Sequence, residues 1–380
     1  MTSTDPIFPL KTWKDWEMRK KAKRFRFAIL MTGGTLIMVP NEHGALEPAK
    51  NPQDFIKYAK HLGEKADIEI FPIMNKDSSN MVSEDWITIA QAIAERQALF
   101  DGFIVTHGTD TIAYSATAVR FALGNHLYTP IVFIGSQLPI YAPRTDAITN
   151  LEDSVAALAE ARKKGINEVM VVAGRQIHRG TRSVKVSESR FEFIGSPGFA
   201  PLGISTAAGI ELNHPEIQYL HAGSPEKSIE EERPSLSQDL FDDNIISIRI
   251  QPNTSVKVLE ATLLDTDPIP YVGVILTSLG AGNPPDRILP FIKRVVTKNI
   301  PVLITPPETG MDTAAIYEAA RQAVALGAIQ TGDMTNVATS VKLSWLLSNP
   351  KLKRNLKALQ EEILTDYFGE ISSRDRWESH

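Results

Sequence analysis

Phe27-Ala28-Ile29-Leu30-Met31-Thr32-Gly33-Gly34-Thr35 decides how the rest of the chain is read. Its first five residues form an unbroken apolar run, the pattern of a strand buried on both faces of a parallel sheet. The run stops at two glycines, which admit tight or positive-φ backbone and let a ligand approach the main chain. Thr35 then places a hydroxyl at the carboxyl end of a buried strand, where open α/β sheets bind ligands. Two readings follow: a plain strand-to-loop turn, or a turn that presents Thr35 as a nucleophile.

Outward from this stretch the same pattern recurs. Phe103-Ile104-Val105 runs into Thr106-His107-Gly108-Thr109-Asp110-Thr111. Further strands are expected at 68–71, 130–134 and 169–173, and helices at 83–99, 112–123 and 147–164. In the first of these helices Trp86, Ile89, Ala90, Ile93 and Ala94 lie on one stripe. Asn51-Pro52-Gln53-Asp54 has the composition of another helix start. The alternation predicts a parallel sheet with helices on both faces. Right-handed crossovers would bring the strand ends at Thr35 and Thr109 to one edge.

The alternation lapses over 201–243, around Glu230-Glu231-Glu232-Arg233-Pro234-Ser235, a polar, proline-marked linker or insertion. A second series follows, with strands at 245–250, 272–276 and 302–304 and helices at 287–298, 313–326, 335–347 and 352–364. The expected fold class is therefore α/β with two domains. A larger N-terminal parallel-sheet domain spans 25–200 and a smaller C-terminal parallel α/β domain spans 244–380. Residues 1–24, with Trp13 and Trp16, form an N-terminal extension.

Composition narrows the function. The chain has 380 residues, 43% hydrophobic and 22% charged, with a formal net charge of −5, which gives no reason to expect a polyanionic partner. It has no cysteine, excluding disulfides, thiolate metal sites and a cysteine nucleophile. No apolar stretch approaches a membrane span. The basic run from Arg19 to Arg26 precedes only five apolar residues, too few for a signal sequence, so a cytoplasmic protein is expected. The basic run itself reads as a solvated face rather than a nucleic-acid site.

Two further residues bear on chemistry. Asp110 precedes a helix and serves either as its cap or as a carboxylate in the crevice. Lys185 closes Arg179-Gly180-Thr181-Arg182-Ser183-Val184-Lys185, a loop in which a lysine is either solvated or functional. Together with Thr35 and Thr109 they make a nucleophile-plus-base constellation on one sheet edge.

These blocks resemble the L-asparaginase family. The resemblance is carried by Thr32-Gly33-Gly34-Thr35, Asp77-Ser78-Ser79-Asn80-Met81, His107-Gly108-Thr109-Asp110-Thr111, Arg179-Gly180 with Lys185, and Asp333-Met334-Thr335 with Lys342-Leu343. The Asp-Ser-Ser and Asp-Met-Thr blocks are similar to the type I, cytosolic branch. The resemblance implies that Thr35 is the acylated nucleophile and Thr109 the second threonine, with Lys185 and Asp110 handling its proton. Ser78 and Asp110 match the groups that hold the substrate α-carboxylate and α-amine, with Ser79 beside them. Gly34 and Thr109 line the same site. It further implies hydrolysis of L-asparagine, or a related small amide, to aspartate and ammonia, with no cofactor, metal, membrane or nucleic acid. A homodimer or homotetramer is the expected assembly.

The chain departs from the family pattern at three places. Gly44-Ala45-Leu46 lacks the loop tyrosine of many members. Arg144-Thr145-Asp146-Ala147 stands where Ser-Asp-Gly is usual, and Ile37 replaces a small residue. Animal type I members supply a tyrosine from the second domain instead, and Tyr317 matches it by its spacing to Asp333-Met334-Thr335. Gly280-Ala281-Gly282-Asn283 is either the family's Gly-x-Gly-Asn turn or an ordinary one. Two rival functions stay open: the ammonia-releasing subunit of a tRNA-dependent amidotransferase, and a catalytically silent amino-acid-binding homologue.

Overall fold

The structure, a computed structural model, describes residues 24–40, 42–43, 46–48, 66–212, 236–265, 268–307 and 317–372. The extension at 1–23, the helix start at Asn51, Ala45 and the acidic linker at 230–235 lie outside the described residues.

The opening stretch forms β1 (Arg26–Gly33), and its apolar run is divided between two cores. Phe27, Ile29 and Met31 join one cluster; Ala28 and Leu30, pointing the other way, join a second. The strand is flanked by β2 (Asp67–Lys76) and β3 (Gly102–Thr106), both parallel to it. The sheet continues through β4 (Ile131–Ile134) and β5 (Val169–Ala173), again in parallel register. Helices α1 (Ser83–Ala94) and α2 (Ile112–Leu123) pack on one face and α3 (Ala147–Lys164) on the other. The two-domain α/β expectation and the helices on both faces hold.

Beyond β5 the sheet changes character. β6 (Gln176–Arg179), β7 (Gly203–Thr206) and β8 (Gly209–Leu212) add in antiparallel fashion. The sheet is thus mostly rather than wholly parallel, in the order β8-β7-β6-β5-β4-β3-β1-β2. It also runs past the boundary expected at residue 200, so β7 and β8 correct the reading of 201–243 as linker or insertion throughout. Both strands are short and half-exposed, and an antiparallel partner needs only a tight hairpin, without a crossover helix.

Two elements also differ in their bounds. α1 stops at Ala94 rather than residue 99, and Ala94 itself is exposed while Ile87 and Ala92 are buried. The stripe is rotated because a wide apolar face tolerates more than one alignment. β2 begins and ends outside the apolar run of 68–71, since its hydrogen bonds come from β1 irrespective of its half-exposed side chains.

The smaller domain has an all-parallel sheet of β9 (Ile245–Arg249), β10 (Gly273–Thr277), β11 (Val302–Thr305) and β12 (Ile329–Gln330), in that order. Its helices include α4 (Val256–Leu263), α5 (Leu289–Thr297), α6 (Glu318–Ala325) and α7 (Asn336–Leu347). Thr335 caps α7 by accepting from the Ala338 N–H at 3.0 Å. The segment expected as one helix over 352–364 is split into α8 (Pro350–Lys353) and α9 (Leu356–Ile363), because Asn355 starts a new cap on Ala358. A third apolar cluster joins the domains: Ile87, Ala118 and Phe121 meet Met334, Ala338, Trp345 and Phe368.

Candidate active site

Glycine packing fits the β1 and β3 loops against each other. Gly33 and Gly34 have φ of 122° and 90°, a region that side-chain-bearing residues avoid. A Cβ on Gly33 would lie 2.1 Å from the Lys76 carbonyl oxygen, and one on Gly34 would lie 2.4 Å from the Gly108 nitrogen and the His107 carbonyl oxygen. Gly108 in turn leaves room for Ser78: a Cβ there would stand 2.3 Å from its Oγ. Thr35 and Thr109 are therefore each one residue from the same Gly34–Gly108 contact. Thr32 reinforces the junction by donating from Oγ1 to the Thr106 carbonyl at 2.6 Å.

Thr35 is half-buried and opens a 3-10 turn, Thr35–Ile37, closed by Ile37 N–H donating to the Gly34 carbonyl at 3.1 Å. Ile37 is buried in the turn. Asp77 accepts from Ser79 N–H at 3.0 Å and so starts the 3-10 turn Ser78–Asn80. That turn leaves Ser78 buried and Ser79 exposed. Thr111 ties it to the β3 loop, donating from Oγ1 to the Ser78 carbonyl at 2.7 Å.

Thr109 is buried at 7% exposure beside Gly135, where a Cβ would press on its methyl at 3.0 Å. Asp110 is exposed and does not cap α2, whose N-cap is Thr111. Its carboxylate accepts from Lys185 Nζ at 2.5 Å. Lys185 belongs to the two-residue strand Val184–Lys185, paired with Ile194–Gly195. Glu188 contacts the same ammonium. Burial works against the charge on Lys185, but hydrogen bonds to Asp110 and Glu188 outweigh it and hold the pKa above the ordinary lysine value. The lysine is protonated here.

His107 is fully buried next to these groups, with Nδ1 2.8 Å from the Gly108 carbonyl. Burial lowers its pKa to about 4, so it is neutral and, bonded to that carbonyl, carries its proton on Nδ1. Among the described residues no cluster of histidine and carboxylate side chains suits a metal ion.

Tyr317 stands apart. It is the N-cap of α6 rather than a residue within the expected helix 313–326, and it is 57% exposed. Its hydroxyl makes no hydrogen bond among the described residues, and 308–316 lie outside them. Arg144, in the departing Arg-Thr-Asp-Ala turn, takes φ 63°, the conformation a glycine would favour. Asp146 compensates by accepting from the Gln137 and Leu138 N–H groups at 3.0 and 3.1 Å. At Gly280-Ala281-Gly282-Asn283 both glycines have positive φ and Asn283 N–H donates back to the Leu279 carbonyl, a tight turn.

Sequence reasoning missed Glu188 and the Thr32–Thr106 bond. Glu188 lies three residues from Lys185, but nothing in an exposed Ser-Glu-Ser run distinguishes it from a solvated carboxylate.

Two family models match this chain: Asparaginase, N-terminal, over residues 26–218, and Glutaminase/Asparaginase C-terminal domain over 244–360. The L-asparaginase of Thermococcus kodakarensis is 32% identical over 91% of this chain and 99% of that protein. A glutamyl-tRNA(Gln) amidotransferase subunit of Pyrococcus abyssi is 29% identical, over 93% of this chain and 78% of that protein. The crystal structure of L-asparaginase I from Vibrio cholerae superposes with a TM-score of 0.74 at 28% identity, covering 92% of this chain and all of that one. On its sequence, its two-domain fold and these matches, the chain belongs to the asparaginase family.

Proposed function

We propose that this protein hydrolyses the side-chain amide of L-asparagine to L-aspartate and ammonia through an acyl intermediate on Thr35. The observation that carries this reading is the Asp110–Lys185 pair at 2.5 Å beside buried Thr109, one Gly34–Gly108 contact away from Thr35. A threonine hydroxyl is a weak nucleophile and needs a base and a pre-positioned carbonyl. In the first half-reaction the Thr35 oxygen attacks the amide carbon, the proton passes into the Thr109–Lys185–Asp110 network, and ammonia leaves with a returned proton. Water then attacks the ester and regenerates Thr35. Backbone N–H groups of the Gly33-Gly34 turn are suited to the tetrahedral oxyanion.

A protonated Lys185 is no base, so the site must change on binding. A substrate α-ammonium held by Asp110 competes for the carboxylate that now stabilises the lysine charge and adds a cation nearby. Both effects lower the lysine pKa. Substrate thus prepares the base that its own turnover requires.

A second reading is supported by the relatives named as glutamyl-tRNA(Gln) amidotransferase subunits, for which glutamine would be the amide donor. One methylene is worth only about 1–3 kcal/mol in a pocket, so residue types do not separate the two substrates. Ammonia release from asparagine and glutamine, measured side by side with and without added tRNA, does. Faster asparagine turnover without tRNA supports the first reading; glutamine preference with tRNA stimulation supports the second. No helix among the described residues is long and apolar enough to cross a membrane, and neither reading calls for one.

A further inference from the structure

Residues 365–372 follow the matched C-terminal family model, yet every residue from Tyr367 to Ser372 is buried. On the second-domain side, Lys342 donates to Glu370 Oε1 at 2.6 Å, with both side chains fully buried, and also to the Thr365 carbonyl. The Glu370 carboxylate accepts from the N–H groups of Tyr367 and Phe368 at 3.2 and 2.7 Å, which bends the segment into a hook. Ser372 donates from N and Oγ to Asp333 at 2.9 and 2.6 Å.

On the first-domain side the hook grips one short turn. Thr181 Oγ1 donates to the Phe368 carbonyl at 3.1 Å and Arg182 Nε to the Gly369 carbonyl at 2.6 Å. Arg182 also reaches the Asp333 carbonyl at 3.1 Å and its carboxylate at 3.2 Å. Phe368 lies against the Arg120 guanidinium, 4.0 Å from it. Gly369, at φ 74°, leaves no space for a Cβ, which would fall 1.7 Å from Arg179 Nη1. The gripped turn is the 3-10 turn Gly180–Arg182. Ser183 closes it through N and Oγ on the Gly180 carbonyl, at 3.2 and 2.8 Å, and Lys185 follows two residues later.

We propose that this hook is a positioning element for Lys185: by holding Gly180–Arg182 from the second domain, it sets where the lysine stands relative to Asp110. The inference rests on the proton-handling role proposed for Lys185. A buried Lys–Glu pair adds little net stability over apolar packing, whereas it admits few geometries. A turn held at Thr181 and Arg182 by a segment so fixed transmits its position to the residues that follow it, and small displacements of a proton-handling group are costly in rate.

The test is Thr181→Val combined with Arg182→Lys in the full chain, which removes both direct bonds from the turn to the hook and keeps the charge opposite Asp333. With the fold verified by circular dichroism, kcat for ammonia release should fall about 10–100-fold while KM stays within about threefold. Asp110 and Glu188 are the charged groups contacting Lys185. Acylation of Lys185 as a function of pH, read by peptide mass spectrometry, should therefore shift to lower pH as its contact with Asp110 loosens. Wild-type-like turnover together with a wild-type lysine profile overturns the proposal. Lost turnover with an unchanged lysine profile also overturns it, because the loss then has another origin. The lysine profile needs no turnover: a wild-type chain that releases no ammonia sinks the asparaginase reading, and the profile still decides the positioning claim. If the double variant fails to fold, Thr181→Val alone carries the test, with the same direction of shift expected and an unchanged profile overturning it.

Discussion

Lys185 Nζ donates to the Asp110 carboxylate at 2.5 Å, and Glu188 contacts the same ammonium from the solvent side. Both carboxylates hold the lysine charged, and the proposed mechanism has the substrate amine claim Asp110. Glu188→Gln should therefore lower the Lys185 pKa and move the ascending limb of the kcat/KM–pH profile to lower pH, modestly given how exposed Glu188 is. A limb that stays where it is would remove Glu188 from the proton-handling network. Lys185→Met and Thr109→Val should each cost several orders of magnitude in turnover, and the double variant little more than either alone. Independent, multiplying losses would show that the two groups do not act as one unit.

Gly34→Ala addresses the junction of the two loops. The added Cβ would meet the backbone of His107 and Gly108 at 2.4 Å, at a φ of 90°, and backbone cannot swing aside as a side chain does. Destabilisation of about 1–3 kcal/mol is expected by urea unfolding, with turnover lost well beyond that fraction unfolded. Wild-type stability and activity in this variant would mean that the loops do not need this contact.

Stability should depend on pH through two buried histidines and one buried carboxyl. His107 and His178 are buried neutral, with pKa values lowered by burial to about 4 from 6.5. The unfolded chain takes up protons below about pH 6.5 that these folded histidines refuse, so stability falls as pH drops from 6.5 to 4, by up to about 3 kcal/mol per histidine. Asp366 has the opposite sign. Burial, then Glu370, pushes its carboxyl up to about 7 from 3.8, so its contribution is lost as pH rises from about 4 to about 7. Two histidines outweigh one carboxyl, and the net slope on acidification is destabilising. Denaturant midpoints across pH 4–7.5 should show a shallower acid loss for His178→Gln and a steeper one for Asp366→Asn, and slopes unchanged in both would refute the assignment.

What was legible in the sequence follows from what each signal encodes. β1 and β3 were readable because a strand buried on both faces leaves an unbroken apolar run, and their loops because glycines are demanded by the Gly34–Gly108 approach. β7 and β8 were not, since half-exposed antiparallel strands of four residues show neither a run nor a clear alternation. The hook at 365–372 left no signal in the sequence because only Tyr367, Phe368 and Ile371 are large and apolar. Its partners Thr181 and Arg182 lie 187 positions earlier in the chain. Asp110 and Lys185 could be named by resemblance, but that the lysine is held charged by two carboxylates required coordinates.

Tyr317 is the proposed tyrosine partner of Thr35, although its ring is 57% exposed here. Tyr317→Phe keeps the ring and removes the hydroxyl, so turnover should fall by about 10²-fold with the melting temperature unchanged. Full activity in this variant would leave Thr35 without a tyrosine from the second domain and remove Tyr317 from the reaction.

The most direct test of Thr35 as nucleophile is ammonia release from L-asparagine by the wild-type chain and by Thr35→Ala, measured alongside their melting temperatures. The half-buried hydroxyl of Thr35 makes no hydrogen bond among the described residues, so its loss should leave the melting temperature within a few degrees. Turnover should fall by at least about 10³-fold. A folded Thr35→Ala protein that releases ammonia at the wild-type rate would contradict the acyl-threonine mechanism outright.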